Sequence, residues 1–238
     1  MSTRTPELRT FRAPVEFRAA KDGSSGPGTL FGYAAKYNKL SRNLGGFVER
    51  IAPGAFDKCL ADGVRIMCRY NHEVLLGTTD AGTLRVWSDD EGLPYEVDLP
   101  ETSWGRDVAV MAQRGDVRFS SFAFHVAPGG DEWGFTENDF PRRTLTGAQL
   151  VDVAPVDDPA YLDTESGLRS LAEARGLDPA AVAVAAKRNE LRALLTSDVA
   201  GDGQGDGDEA APLIETPSGD ERALDVARLR LELLRRAV

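Results

Sequence analysis

Short segments rich in β-forming residues recur between about residue 29 and residue 160, and turn residues separate them. The composition or the alternation of a strand is found over 29–37, 64–69, 83–87, 94–99, 117–126 and 149–156. The run Asp89-Asp90-Glu91-Gly92 is typical of the turns that connect such segments. Many short strands at this spacing predict an antiparallel sheet system that closes into a barrel or a sandwich.

Helical patterns interrupt these strands and also follow them. Helices are predicted for a segment that starts near Pro53 and for 103–113, 164–175 and 178–195. Gly115 and Gly176 follow two of these segments, at the position where a helix commonly ends. The predicted fold class is therefore mixed, with β-strands at the centre and helices around and after them.

The chain divides by composition into five predicted parts. These are a flexible N-terminal segment (1–28), a β domain (29–165), a helical extension (166–197), a flexible acidic linker (198–217) and an amphipathic helix (218–238). Glycines and like charges keep the linker flexible and extended. Ser218-Gly219-Asp220-Glu221 is a capping box, and apolar residues follow it at spacings of three and four.

Composition excludes several classes of function. The net charge is −10, which argues against nucleic acid as the main partner. The sequence contains no apolar run near the roughly 20 residues that span a bilayer, and the stretch 1–14 lacks the apolar core of a secretory signal. Cys59 and Cys68 stand without a CxxC pair or a nearby histidine. We therefore predict a protein of the reducing cytoplasm with no membrane contact, no metal site, no disulfide and no cofactor.

The histidines restrict the search for a catalytic site, because there are only two, His72 and His125. Ser121 and His125 lie on one face of the predicted strand 117–126, and four residues of strand separate them by about 13 Å. A hydrogen bond needs about 3 Å, so His125 cannot serve as the base for Ser121 in a regular strand. His72 comes from another segment and can do so, although a lone histidine after a strand is more often a surface residue.

A series of short motifs follows one another between Gly32 and Tyr161. In order they are Gly32-Tyr33-Ala34, Pro53-Gly54-Ala55-Phe56, Asn71-His72-Glu73 before Leu76-Gly77, Phe119-Ser120-Ser121-Phe122-Ala123-Phe124, Leu150–Val156 and Pro159-Ala160-Tyr161. This ordered set resembles the prohead (capsid maturation) serine proteases of tailed bacteriophages. No single motif is diagnostic, but the set covers roughly 130 residues in the order of the family.

The resemblance implies roles for three residues. The catalytic serine of the family directly precedes a phenylalanine, which selects Ser121 over Ser120 as nucleophile. The histidine of the family falls on His72, and its acidic residue falls on Asp152. This chain has Asp152 where the family usually has glutamate, so a side chain one methylene shorter has to reach His72. It also has Ala123 where the family has glycine.

The resemblance also implies a fold and a function. The implied fold is an antiparallel β-barrel of the herpesvirus assemblin type, surrounded by helices and followed by a C-terminal helical extension. The implied activity is that of a serine endopeptidase that cleaves phage capsid or scaffold proteins, and self-cleavage is part of this prediction. The major capsid protein and the scaffold are the predicted partners, inside the procapsid that assembles in the host cytoplasm, and the sequence leaves self-association open.

Three alternatives remain open on the sequence. Arg142 and Arg143, between the Ser121 and Asp152 strands, either support an oxyanion hole through a backbone N–H or a guanidinium, or are solvated side chains. The chain could be an inactive assembly or scaffolding protein of the same fold, or another serine hydrolase such as an esterase. No G-x-S-x-G motif is present, which counts against the usual α/β-hydrolase architecture. The helix 218–238 either docks on capsid or scaffold subunits or packs on the parent domain.

Overall fold

The computed structural model describes residues 6–11, 13–20, 26–158 and 164–196, which form twelve strands and five helices. The strands are β1 (Glu7–Phe11), β2 (Glu16–Ala19), β3 (Gly28–Lys36), β4 (Val48–Ile51), β5 (Met67–Tyr70), β6 (Val74–Thr78), β7 (Leu84–Val86), β8 (Gly92–Asp98), β9 (Phe119–Val126), β10 (Asp131–Phe135), β11 (Pro141–Leu145) and β12 (Ala148–Val156). The helices are α1 (Asp57–Ala61), α2 (Ser103–Arg114), α3 (Thr164–Arg175), α4 (Pro179–Lys187) and α5 (Leu191–Thr196). The mixed fold class predicted from the sequence is confirmed.

The described strands form three sheets. A five-stranded sheet has the order β1-β9-β12-β5-β6, a four-stranded sheet β2-β3-β8-β7 and a three-stranded sheet β10-β11-β4. Two pairings, β11 with β4 and β12 with β5, are parallel, so the expectation of a wholly antiparallel system is wrong. Among the described strands, no hydrogen-bonded pairing joins the three sheets or closes one of them into a ring. An assemblin-type barrel is not confirmed by these pairings and stays a prediction.

The N-terminal segment 1–28, which the sequence predicts to be flexible, contains two strands. β1 pairs antiparallel with β9, and β2 pairs antiparallel with β3. Glu7 and Arg9 on β1 are buried by ion pairs with residues of β4 and β11. A local sequence pattern cannot show these partners, which is why the segment was not predicted as strand. The described part of 1–28 is therefore part of the folded domain.

The apolar core lies between the sheets and under α1 and α2. Residues of β3, β8, β9 and β12 dominate it, and the rings of Phe122 and Phe124 stack with their centroids 5.0 Å apart. Thr102 caps α2 by accepting a hydrogen bond from the N–H of Gly105, and Gly115 ends the helix with a left-handed φ of 85°, as the sequence predicts. The large apolar core under these elements fixes the position of β9.

A second, smaller apolar cluster is formed by α3, α4 and α5. Leu171, Val182 and Leu191 from these helices pack with Phe47, and Trp133 of β10 lies against them. The single helix predicted over 178–195 is wrong, because the chain breaks between α4 and α5 where Asn189 has φ 57°. The boundary between the β domain and the helical extension stays a prediction.

The acidic linker 198–217 and the amphipathic helix 218–238 lie outside the described residues. Among the helices that the structure describes, none is long and apolar enough to cross a membrane.

Candidate active site

Ser121 lies in the middle of β9, which has β1 on one side and β12 on the other. Its side chain shares a face of the strand with Ala123, as alternation along a strand requires. Ser120 points to the opposite face, where its hydroxyl lies 3.2 Å from the hydroxyl of Tyr95 in the core. Both serines are fully buried. The structure thus separates the two serines into one inside the core and one facing His72.

His72 is presented by the tight turn between β5 and β6. Asn71 and His72 have φ values of 52° and 62°, and the N–H of Glu73 donates to the carbonyl of Tyr70 at 3.0 Å. Two successive positive φ values at the centre of a turn are the signature of the type I′ hairpin turn. Asparagine and histidine tolerate this conformation better than most residues. The turn extends the imidazole of His72 over the neighbouring strands.

A second set of contacts fixes this turn to the end of β12. The side-chain amide of Asn71 and the hydroxyl of Tyr70 donate to the carboxylate of Asp157 at 3.1 and 2.9 Å. The backbone N–H of Asn71 donates to the carbonyl of Pro155 at 3.1 Å. Burial acts to raise the pKa of Asp157, but the hydrogen bonds from Asn71 and Tyr70 outweigh it and lower the pKa. Asp157 is therefore an ionised anchor for the turn that carries His72.

Asp152 reaches the same face of the sheet through a β-bulge in β12. Leu150 pairs with Phe124, but Asp152 pairs with Ala123, so Val151 is an extra residue on this strand. Without the bulge, Val151 would lie opposite Ala123, and Asp152 would point to the other face. The bulge thus places the carboxylate on the face that also holds Ser121 and His72.

The three side chains form one continuous chain of hydrogen bonds. His72 Nε2 lies 2.7 Å from Ser121 Oγ, and His72 Nδ1 lies 2.7 Å from Asp152 Oδ1. The shorter side chain of Asp152 therefore reaches His72 fully. Such a chain can transfer the serine proton to the imidazole, while the carboxylate orients the ring and stabilises its charged form.

Arg69 is a further member of the site that the sequence patterns did not indicate. Its Nη1 donates to Asp152 Oδ2 at 3.2 Å, so the two oxygens of this carboxylate serve two different partners. Arg69 lies on β5, next to β12 in the sheet. The guanidinium fixes the orientation of the carboxylate by a charge-assisted hydrogen bond. No local pattern distinguishes this arginine from other charged residues on strands.

The strand β1 supplies two more contacts to Ser121 that the sequence did not indicate. Thr10 lies opposite Ser121 in the ladder, and its hydroxyl donates to Ser121 Oγ at 3.2 Å. The hydroxyl of Ser121 is also 2.9 Å from the backbone carbonyl of Arg9, which can only accept. Backbone groups leave no mark in a sequence, and the segment was expected to be flexible.

Arg143 lies in a different environment from Ser121, His72 and Asp152. Its guanidinium donates to the carboxylates of Glu7, Glu49 and Asp131 at 2.8 to 3.1 Å, and it is fully buried. Arg9 donates to Glu7 and Glu49 at 2.7 Å. We call these five residues the buried ion cluster.

The carboxylates of this cluster explain the state of both arginines. Burial acts to lower the pKa of Arg9 and of Arg143, but the neighbouring carboxylates outweigh it and raise both pKa values. Because Nε, Nη1 and Nη2 of Arg143 all donate to carboxylates, its guanidinium is committed to this cluster. This argues against the guanidinium of Arg143 as an oxyanion donor.

Arg142, the other arginine considered, lies on the same strand, β11, and is only half-buried. Its Nε is buried without a hydrogen-bond partner among the described residues. A contribution of either arginine to an oxyanion hole, through a backbone N–H or through the guanidinium of Arg142, stays a prediction.

Comparison with known proteins adds three findings to this geometry. Among solved structures, the chain is similar to the capsid assembly protease gp21 of bacteriophage T4, with 13% sequence identity and a TM-score of 0.45. That match covers 64% of this chain and 99% of the phage T4 chain. Comparison with curated proteins finds no match. The model of the caudovirus prohead serine protease family matches residues 14–175, which is more than half of the chain. The chain therefore belongs to the caudovirus prohead serine protease family.

Proposed function

We propose that the chain is an active serine endopeptidase of prohead maturation, with Ser121 as nucleophile, His72 as base and Asp152 as the third member. The hydrogen-bonded series from Ser121 Oγ through His72 to Asp152, with both distances 2.7 Å, is the single observation that supports this most. Family membership supports it independently of the geometry.

In the proposed mechanism, His72 Nε2 takes the proton from Ser121 as its oxygen attacks the carbonyl carbon of a peptide bond. The imidazolium then gives this proton to the leaving amine, and an acyl-enzyme remains on Ser121. Water, deprotonated by the same histidine, attacks the ester and releases the second product. Asp152 accepts from Nδ1 throughout, which keeps Nε2 directed at the serine.

Arg69 acts in this scheme as a positioning residue. By donating to Asp152 Oδ2 it leaves Oδ1 to His72 and prevents the carboxylate from rotating. The hydroxyl of Ser121 is 49 positions from His72 in sequence, and Asp152 is 80 positions from it, so rigid support from the sheet is essential.

The proposed substrates are the phage major capsid protein and the scaffold, cleaved inside the assembling procapsid in the host cytoplasm. Self-cleavage belongs to the same proposal. A barrel of the assemblin type is proposed as the complete fold of the domain.

The nucleophile is tested with a fluorophosphonate probe on the full chain, followed by mass mapping of the labelled residue. We expect labelling at Ser121, its loss in Ser121→Ala, and unchanged labelling in Ser120→Ala relative to the parent if that variant folds. Circular dichroism of each variant controls for folding. Labelling that survives in Ser121→Ala at the parent level would show that the nucleophile is another residue.

The substrate class is tested by co-expressing the chain with the capsid and scaffold proteins of its own phage. Intact-mass measurement should show truncated capsid or scaffold with the parent chain and full-length proteins with Ser121→Ala. Full-length proteins in both cases, in a chain that does label at Ser121, would favour an esterase. The absence of both labelling and cleavage would favour an inactive assembly protein.

A further inference from the structure

Ser121, the nucleophile of the proposed triad, is closed off from solvent and forms hydrogen bonds with a neighbouring strand of its own chain. Ser121 has no exposed surface, and its hydroxyl has three hydrogen-bond partners: His72 Nε2, the carbonyl of Arg9 and the hydroxyl of Thr10. Two of these three partners belong to β1. A substrate carbonyl has to reach Ser121 Oγ, and two of the three groups that already contact this oxygen lie on β1.

The contact with Arg9 also changes the chemistry of the serine. The hydroxyl of Ser121 has one hydrogen and two groups that can accept it, His72 Nε2 at 2.7 Å and the Arg9 carbonyl at 2.9 Å. A proton directed at the Arg9 carbonyl is not available to the imidazole. With β1 in place, the nucleophile is therefore both covered and less activated than a free serine–histidine pair.

The position of β1 matches what an extended substrate would need. β1 is an edge strand and pairs antiparallel with β9, with Thr10 opposite Ser121. This pairing places the Arg9–Thr10 peptide group beside the nucleophile. A protein segment that adds to a sheet edge gains backbone hydrogen bonds irrespective of its side chains. A substrate strand at the β9 edge would gain the same ladder while it brings a peptide bond to Ser121.

We propose that the edge of β9 beside Ser121 is the binding site for the extended substrate segment, and that β1 occupies this site as an intramolecular competitor. This inference rests on the proposed function. The family match begins at residue 14, so β1 lies before the matched region. The strand beside the nucleophile thus lies outside the part of the chain that the family model matches.

The departure of β1 is compatible with the charges beneath it. β1 contributes Glu7 and Arg9 to the buried ion cluster, one anion and one cation. Its release leaves the net charge of the cluster unchanged, and Glu49 keeps its contact with Arg143 at 3.1 Å. The apolar contact of β1 with the domain is made by Phe11, whose ring stacks on Phe122 with a centroid distance of 6.1 Å. Release breaks the contacts of Arg9 with Glu49 and of Glu7 with Arg143, but Glu49 and Asp131 both keep a contact with Arg143.

A reversible cross-link tests the proposal in the full chain. Leu8 and Ala123 are partners across the β1–β9 ladder, on the face of Thr10 and Ser121. Opposed residues of antiparallel strands have Cα atoms about 4.5–5.5 Å apart, within the range that a disulfide spans. The variant Leu8→Cys with Ala123→Cys holds β1 on β9 when oxidised and releases it when reduced. The two single-cysteine variants control for each substitution and for the native Cys59 and Cys68.

The rate of fluorophosphonate labelling at Ser121 is then compared between the two forms. We expect labelling at least tenfold slower in the oxidised double variant than in the same protein after reduction. Equal rates in the two forms would overturn the proposal, because Ser121 would then be reachable with β1 in place. Absence of labelling in every form would overturn the proposed function, and this inference with it.

A second variant has the opposite expected sign. Phe11→Ala removes the ring that packs β1 on Phe122 and leaves the ion cluster and the triad intact, so labelling should be about tenfold faster. Phe17→Ala is the matched control, because Phe17 lies on β2, packs against the same core and has no contact with β9 in the ladder. Faster labelling confined to Phe11→Ala supports the proposal. An equal change in both variants would overturn it by showing that general loosening of the domain exposes Ser121.

Discussion

Each of the two faces of the β1–β9 pair holds a set of buried polar groups. The two sets differ in the kind of group at which the series of hydrogen bonds ends. On one face, the buried ion cluster joins Glu7, Arg9, Glu49, Asp131 and Arg143, and each charge has a partner of opposite sign. On the other face, the chain from Asp152 through His72 ends on a hydroxyl. A closed set of ion pairs only holds elements together, whereas a chain that ends on a transferable proton can perform chemistry. The comparison predicts that changes on one face affect stability and changes on the other affect catalysis.

The largest expected effect is the loss of the base in His72→Ala. Without an acceptor for the serine proton, the rate of peptide cleavage should fall by about 10⁶-fold. The midpoint of thermal unfolding should remain close to that of the parent, because the imidazole lies at a turn outside the apolar core. His125→Ala is the matched control and should retain activity. A fall of similar size in His125→Ala would contradict the assignment of the base.

The next effect concerns the carboxylate, which is neutralised without a change of shape in Asp152→Asn. We expect cleavage to slow by about 10⁴-fold, since an amide can donate to Nδ1 and so favour the wrong tautomer of His72.

Arg69→Met should give a smaller loss that appears in kcat rather than KM, because it acts only through Asp152. A change in KM alone for Arg69→Met would show that this arginine binds substrate instead of positioning Asp152.

The face that holds the buried ion cluster is tested by Arg143→Met, which leaves three buried carboxylates with one cation fewer. Removing one partner of a buried ion pair costs about 3–5 kcal/mol, so the free energy of unfolding should fall by this order. Arg142→Met makes the same change one residue earlier, on a half-buried side chain, and should cost clearly less. Chemical denaturation of the Ser121→Ala background measures both without self-cleavage. Equal losses in the two variants would contradict the structural role of the cluster.

The smallest effect concerns the anchor of the His72 turn. Asp157→Ala removes the acceptor for Asn71 and Tyr70, and we expect kcat to fall by about tenfold or less, as for a residue that only positions the base. Asp158→Ala, the exposed neighbour, is the matched control and should leave kcat unchanged.

Because the pKa of Asp157 is lowered in the folded state, its contribution to stability is present above the ordinary pKa of 3.8 and is lost as the pH falls through the lower, folded value.

The resulting measurement is the difference in thermal midpoint between the parent and Asp157→Ala as a function of pH. This difference should be constant at neutral pH and should shrink below about pH 4. A difference that grows as the pH falls would show that Asp157 does not stabilise the fold in its ionised form.

The strands with clear alternation could be predicted from the sequence, and the structure confirms strands within 117–126 and 149–156. The strands β1 and β2 could not, because their pairing, and the burial of Glu7 and Arg9 on β1, depend on residues far away in the sequence. The sequence also did not indicate the break between α4 and α5, since neither glycine nor proline stands at Asn189, where the backbone turns left-handed. Charged strands and short interruptions are thus the features that a local pattern fails to indicate.

By itself, the sequence determined which residues are candidates for the site: one histidine that can reach a strand serine, the serine before Phe122, and an acid in the last long strand. Only the tertiary structure decided that they meet. The bulge at Val151 turns Asp152 to the right face, the positive φ values of Asn71 and His72 direct the imidazole, and β1 covers a serine 112 positions away. The physical reason is that residue type and period are local properties, whereas register, bulges and the strand at a sheet edge depend on the pairing of distant segments.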